Sequence, residues 1–327
     1  MKAMVIVQTK GGGKLELRDV PKPEPGPEEL LMRVMAAGVN RADIYQVKGT
    51  YDPTKKAADE IIGGGEAAGE VVGIGKNVSG FALGDRIMGM CKGGYAEFTT
   101  LDYRMVMPVP GRLNWEEAAS ISAGYMTEHN ALVTNGRLQP GETVVVNAAS
   151  SGVGVSAIQI AKLCGAKMAI GITSSPAKVA ALKAVGMDLG INYHTENFAD
   201  AVLAATQGNG ADVIIDHVGG PFLKENLRCM AVKGRMVSVG RLGGMTAELD
   251  LELVAYKRLQ LIGVTFRTRT MDERIAIVKG VVADLIPALS DGRLKPVINR
   301  VFELHQAAEA HAYMESGAQI GKIVLKI

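Results

Sequence analysis

The sequence predicts an α/β fold: a small β-rich domain plus a six-stranded, doubly wound parallel-sheet domain. Three observations carry that expectation. Short apolar and β-branched runs fill residues 1–124, separated by PKPEPGPEE, GGG and KGG turns. After Gly124 the rhythm changes to strand and amphipathic helix in alternation, as parallel strands with crossover helices require. The stretch Asn147 to Gln159, NAASSGVGVSAIQ, looks like a phosphate-binding turn between a strand and a helix.

In the β-rich part AMVIVQ, ELLMRVMAAGV, AAGEVVGIG, DRIMGM and YAEFTTL read as strands. The opening MKAMVIVQTK alternates like a strand and lacks a signal peptide's apolar core. In the second part TVVVNAA is a β-branched strand, and VGVSAIQIAKLCG is an amphipathic helix closing on Gly165. KMAIGIT, the helix SPAKVAALKAVG and DLGINY follow, and ADVIIDHV, GRMVSVG and LQLIGVTF complete six strands. The tail reads as one helix over MDERIAIVKGVVADLIPALSDG, a short strand, the helix HQAAEAHAYMESG and the strand KIVLKI. Six strands already complete the sheet, so the tail is expected to return to the first domain. The expected domains are 1–124 with 268–327, and 125–267.

Composition is that of a globular protein, with 47% hydrophobic and 21% charged residues in 327. A formal charge of +2 supplies no strong field for nucleic acid or an anionic membrane. No apolar run has the length of a membrane helix. Cys91, Cys164 and Cys229 are widely spaced and odd in number, which suits neither a disulfide framework nor a CxxC metal pair. A reducing cytoplasm is the expected location, with an organelle left open.

A dinucleotide fingerprint asks for G-x-G-x-x-G on the first strand–helix turn, and this chain has Ala149-Ser150-Ser151-Gly152-Val153-Gly154. The third glycine, which lets the helix pack close to the sheet, is kept. The plainer reading is a Ser-capped helix after a buried strand; the six alternating strands favour nucleotide binding. An NAD site usually places Asp or Glu about twenty residues after the glycines. Here that region reads Gly171-Ile-Thr-Ser-Ser-Pro-Ala-Lys178, with no acid to repel a 2′-phosphate. Ser174 and Ser175 can donate hydrogen bonds and Lys178 adds a cation, so the expected cofactor is NADPH. Helix capping by Ser-Pro and a solvated lysine are the alternative.

AASSGVGVSAIQIAKLCGA, NRADIYQ, GGGEAAGEVVGIG, INY and IGKIVLKI, taken together and in order, resemble the zinc-independent quinone oxidoreductase family of the medium-chain dehydrogenase/reductase superfamily, with its zeta-crystallin-like enzymes. The resemblance implies a GroES-like β domain, a Rossmann cofactor domain, a cleft between them, and a homodimer pairing edge strands of the two cofactor domains. Zinc-dependent relatives carry Cys where this chain has Asn40 and His where it has Gly65, and neither Asn nor Gly offers a thiolate or imidazole. No metal site is therefore expected, and Cys91 reads as a small apolar filler.

The same resemblance carries roles onto particular positions. It implies that Asn40 and Tyr45 contact the nicotinamide end and that Tyr51 lines the acceptor pocket, which makes these three the catalytic candidates. Thr127 matches a cofactor-facing threonine, and Gly152 and Val153 would give backbone to the pyrophosphate. Ser174, Lys178 and Tyr193 match contacts to the 2′-phosphate and ribose, while Gly240 and Phe266 sit where nicotinamide binds. Tyr193 as an ordinary strand residue, and Tyr45 and Tyr51 as core aromatics, are the structural alternatives. His129 and His217 are set aside as structural.

The expected reaction is hydride transfer from NADPH to a quinone or other electron-poor small molecule, without a Lewis acid. Two rivals stand beside it. One is an enal or enoyl reductase using the same cofactor; the other is a non-catalytic NADPH-binding protein with an RNA-binding or structural role, which the near-neutral charge does not favour.

Overall fold

The computed structural model describes residues 1–9, 12–51 and 60–327; Lys10, the last residue of the opening strand-like run, lies outside the described residues. They form two compact units, Met1–Met126 with Arg269–Ile327, and Thr127–Thr268.

The first unit begins with β1 (Lys2–Thr9), β2 (Gly12–Asp19), β3 (Glu29–Val39), α1 (Arg41–Val47), β4 (Glu60–Ile62), β5 (Glu66–Ile74), β6 (Arg86–Met90), β7 (Phe98–Asp102), β8 (Val106–Pro108) and α2 (Trp115–Ala119). β1 pairs antiparallel with β2 and β4 in a three-stranded sheet, and β3, β5, β6 and β8 lie side by side in a second sheet. β3 pairs with β5 along one edge and with β7 along part of the other, and its eleven residues are mostly buried, with Arg33 exposed, so they run nearly continuously apolar rather than alternating. Leu30, Met32, Val34, Val71, Ile87 and Leu101 fill the core between these strands. The run YAEFTTL becomes a strand only from Phe98, and Tyr95, before it, turns its ring wholly inside.

α3 (Ser122–His129) leads into the second unit, where β9 (Thr143–Val146), α4 (Gly152–Leu163), β10 (Met168–Thr173), α5 (Pro176–Lys183), β11 (Leu189–Asn192), α6 (Phe198–Ala205), β12 (Ala211–Asp216), α7 (Leu223–Cys229), β13 (Met230–Ser238), α8 (Leu251–Lys257) and β14 (Gln260–Gly263) alternate. The strands form one six-stranded sheet in the order β11-β10-β9-β12-β13-β14, and each neighbouring pair is parallel. Val144, Val145 and Val146 have no exposed surface, as a central strand covered by helices on both faces demands. The order of strands reverses between β9 and β12, which opens a crevice beyond their carboxyl ends.

The chain then returns through α9 (Met271–Asp284), α10 (Ile286–Asp291), β15 (Ile298–Glu303), α11 (Ala307–Glu315) and β16 (Lys322–Lys326). β16 pairs antiparallel with β3 and parallel with β15, extending the first unit's sheet to seven strands. The single tail helix read from the sequence is two helices. Pro287 has no N–H to continue the ladder and its ring blocks the preceding turn, so the backbone relaxes at Leu285 to φ −108° before α10 starts. Gly292, at φ 84°, closes α10 in the left-handed region.

Candidate functional site

In the second unit the nucleotide-loop residues meet at the crevice. β9 ends at Val146, and the turn's left-handed residue is Ala148, at φ 51°, rather than a glycine. Ala149 is fully buried, and β10 accommodates it with Gly171, where a Cβ would come within 2.9 Å of the Ala149 methyl. The glycine missing from the loop is thus matched by a glycine on the neighbouring strand. Ser151 caps α4, its Oγ accepting from the Gly154 N–H at 3.0 Å. Gly154 cannot be larger: a Cβ there would lie 2.5 Å from the Ala148 carbonyl oxygen. Gly152 and Val153 begin α4, so their N–H groups are among those with no acceptor within the helix.

The other cofactor candidates stand at the carboxyl ends of successive strands. Ser174 follows β10, and Lys178 Nζ donates to its Oγ at 3.2 Å. Ser175 caps α5 with Pro176 at its start, so the Ser-Pro pair does cap the helix while Ser174 and Lys178 face each other beside it. Burial lowers the Lys178 pKa, the mark of an ammonium short of water. Tyr193 follows β11, with its ring centroid 4.3 Å from His194 and 5.2 Å from Phe222. Gly240 follows β13, and a Cβ there would lie 2.7 Å from the His217 carbonyl oxygen, so only glycine fits. Phe266 follows β14 and is half-buried, as are Thr127 on α3, Gly152 and Val153.

Beneath this rim lies a polar cluster for which the sequence offers only one cue, the histidine of IIDHVGG. His217, directly after β12, is bonded through Nδ1 to the Asn147 carbonyl at 2.8 Å and through Nε2 to Glu128 at 2.9 Å. Burial by itself would lower its pKa, but the Glu128 carboxylate, the bond to the Asn147 carbonyl and nearby Asp216 together raise it. Asn147 also donates to Asp216 at 3.0 Å and to Asn226 at 2.9 Å, tying the ends of β9 and β12 together at the crevice. His217 is thus held by hydrogen bonds on both ring nitrogens where the strand order reverses.

In the first unit Asn40 ends β3 and precedes α1. Its amide donates to Glu66 at 2.9 Å and accepts from Lys322 at 2.8 Å, while Lys322 also bonds to Glu66 and to the Val39 carbonyl. The second Glu66 oxygen accepts from the Ala123 N–H at 2.7 Å, so this buried ion pair is fully hydrogen-bonded. Tyr45, on α1, and Tyr51 are half-buried and lie outside the buried core. Asp43, on the first turn of α1, accepts from the Asn40 N–H and from the Tyr95 hydroxyl, and Tyr95 also contacts His311 of α11. The sequence does not single out Glu66, Lys322, Asp43 or His311, because each sits alone in an apolar or helical run. Cys91 packs against the core and burial pushes its thiol up, so it is a protonated filler. Among the described residues no group of three His, Cys, Asp or Glu side chains could hold a metal ion.

A two-unit chain of this topology, with a capped nucleotide turn at the switch of strand order, has the architecture of a pyridine-nucleotide oxidoreductase. Residues 26–111 match the alcohol dehydrogenase GroES-like domain, and residues 185–325 match the family described as zinc-binding dehydrogenase. Human quinone oxidoreductase is 31% identical over 329 residues, covering 99% of this chain and 97% of that protein. A phenolphthiocerol/phthiocerol polyketide synthase of Mycobacterium tuberculosis is 30% identical over 329 residues; the match takes in 100% of this chain but only 15% of that much longer polypeptide. A mycobacterial protein solved with NADPH superposes with a TM-score of 0.89 at 27% identity over the whole of both chains. The CurK enoyl reductase superposes at 0.87 with 26% identity over 98% of each. The chain belongs to the medium-chain dehydrogenase/reductase superfamily, in its quinone oxidoreductase-like branch.

Proposed function

We propose that this protein is an NADPH-dependent reductase that transfers hydride to a quinone, without zinc. One observation carries the cofactor choice: Ser174 and the desolvated Lys178 face each other where β10 ends, and the stretch from Gly171 to Lys178 contains no acid. The residues fit the cofactor. The Ser151-capped start of α4 would hold the pyrophosphate on the N–H groups of Gly152 and Val153. Ser174 and Lys178 would take the 2′-phosphate, and Tyr193 the adenosine. Thr127, Gly240 and Phe266 would line the nicotinamide position. When bound, NADPH supplies the hydride from C4 of its nicotinamide. Asn40 and Tyr45 would orient the reacting ring, and Tyr51 would hold the planar acceptor by aromatic contact. The likeness to human quinone oxidoreductase supports the quinone, and Asn40 and Gly65 at the positions of zinc ligands support chemistry without a Lewis acid.

A second reading is favoured by a specific likeness. The CurK enoyl reductase and the mycobacterial polyketide synthase both resemble this chain, so a conjugated carbon–carbon double bond is the rival acceptor. NADPH oxidation followed at its own absorbance, with quinones beside enals and NADH as control, separates the readings. Turnover with quinones and NADPH supports the proposal, turnover confined to enals replaces the substrate, and cofactor binding without turnover on any acceptor removes the enzyme reading.

A further inference from the structure

We propose that His217 and Glu128 hold one proton between them, that this proton keeps the floor of the nucleotide crevice in its binding form, and that NADPH affinity falls when the pair loses it. The proposal rests on the reading of the crevice as an NADPH site. Both are positioning residues: they are buried, and they act on the cofactor through backbone and charge.

The proton follows from the partners of the ring. Nδ1 lies 2.8 Å from the Asn147 carbonyl, which can only accept, so Nδ1 carries a hydrogen. Nε2 lies 2.9 Å from Glu128 Oε1, a contact of two lone pairs unless a proton sits between them. An imidazolium against a carboxylate and an imidazole against a carboxylic acid both meet that need, and both leave the pair without net charge. His217 is 2% exposed and Glu128 has no exposed surface, so neither gains hydration when the bond opens. The other Glu128 oxygen, Oε2, has no hydrogen-bond partner, which leaves His217 as the support of this carboxylate among the described residues. Asp216, beside the ring, is different: it accepts from the Asn147 amide and from the Val218 and Gly219 N–H groups. The exchangeable proton of the cluster is therefore the one between His217 and Glu128.

Two walls of the crevice hang on the same residue. The Asn147 carbonyl that His217 holds comes just before Ala148, the left-handed residue of the turn into α4. On the other side the His217 carbonyl accepts from the Leu242 N–H at 3.2 Å, and it lies against Gly240. The pyrophosphate turn and the loop after β13 are thus joined through one side chain and its own backbone, all within the second unit. Loss of the proton sets the Nε2 and Glu128 lone pairs against each other and leaves the pair singly negative. A turn of the ring that relieves this withdraws Nδ1 from Asn147, and the added charge repels the cofactor phosphates from below. The charged groups facing His217 are Glu128 on α3 and Asp216 at the end of β12. Burial opposes charge on the ring, and Glu128, the bond to Asn147 and Asp216 overcome it, so the proton leaves above the ordinary histidine range.

Glu128→Gln separates the proton from the fold. A neutral glutamine keeps the shape and donates its amide N–H to a bare Nε2, so the ring stays in place with no shared proton to lose. In calorimetric titrations with NADPH from about pH 6 to about pH 9, wild-type affinity should fall on the order of tenfold more than that of Glu128→Gln. Titration of the 2′-phosphate and of Lys178 is common to both proteins and drops out of the comparison. Nitrogen-15 NMR of histidine-labelled wild type supplies a second readout, with the His217 signal assigned by its loss in His217→Ala. Because the coupling is reciprocal, saturating NADPH should raise the His217 midpoint by about one pH unit. Equal pH slopes for wild type and Glu128→Gln, or a His217 midpoint that NADPH leaves in place, overturn the proposal while the cofactor reading stands. A wild type without NADPH affinity at any pH overturns the cofactor reading and this proposal together.

Discussion

Lys178 shows what one side chain is asked to do. Its ammonium is partly desolvated beside Ser174, a state that an anionic oxygen would relieve. Lys178→Ala should weaken NADPH binding by roughly ten- to a hundredfold, about 1.5–3 kcal/mol, and leave NADH almost unchanged. Titration calorimetry with both cofactors checks this, and equal weakening of both would mean that the lysine serves only the helix. The buried acid and base of the first unit make a second residue-scale prediction. Asp43, with its pKa raised to about 6, binds a proton in the folded state before the unfolded chain does, so it adds stability as pH falls from 6 toward 4. His311, lowered to about 4, does the reverse: the unfolded chain takes the proton first, and stability is lost as pH falls from about 6.5 toward 4. The two nearly offset. Asp43→Asn removes only the gain, so its urea midpoint should drop between pH 7 and pH 4.5 while the wild type's barely moves, a difference of ~2 kcal/mol.

At the scale of elements, α4 and the turn before it decide whether a dinucleotide can bind. The Gly154 position leaves no room, because the obstructing atom is the Ala148 backbone carbonyl and not a flexible side chain. Gly154→Ala should therefore cost about 1–3 kcal/mol and abolish NADPH binding, whereas Ser151→Ala, which removes the cap, should cost about 1 kcal/mol. Denaturation midpoints and fluorescence titration with NADPH distinguish the two. This loop was legible in the sequence because its constraints are local: a β-branched run, small residues, a glycine and a helix. What was not legible is how the missing glycines are tolerated, since Ala149 depends on Gly171 of a neighbouring strand. The break between α9 and α10 was legible in principle from Pro287, but the apolar period across it masked the signal.

For the molecule as a whole, β14 is one of the two edge strands of the six, and Leu261 on it, with Leu251 and Tyr256 on α8, is exposed. An open edge with apolar residues beside it suits the homodimer that the family resemblance implies. Light scattering after size exclusion should return twice the chain mass for the wild type and a shift toward monomer for Leu261→Lys; a monomeric wild type would discard the dimer. Elemental analysis of chelator-washed, active protein should return no stoichiometric zinc, and one zinc retained per chain would overturn the metal-free mechanism.

By itself the sequence determined the periodicities. Runs such as TVVV and KMAIGIT, buried on both faces, can only be inner strands, and the helices between them make the strands parallel. It also determined the capped glycine turn and the absence of an acid after β10. The tertiary structure alone decided the polar clusters. His217 meets Glu128 across 89 residues, Tyr95 meets His311 across 216, and Glu66 meets Lys322 across 256. A hydrogen bond between distant residues leaves no period and no spacing to read. Each partner looks like a stray polar residue in an apolar run until the sheets bring it to the other, and burial then gives both their chemistry.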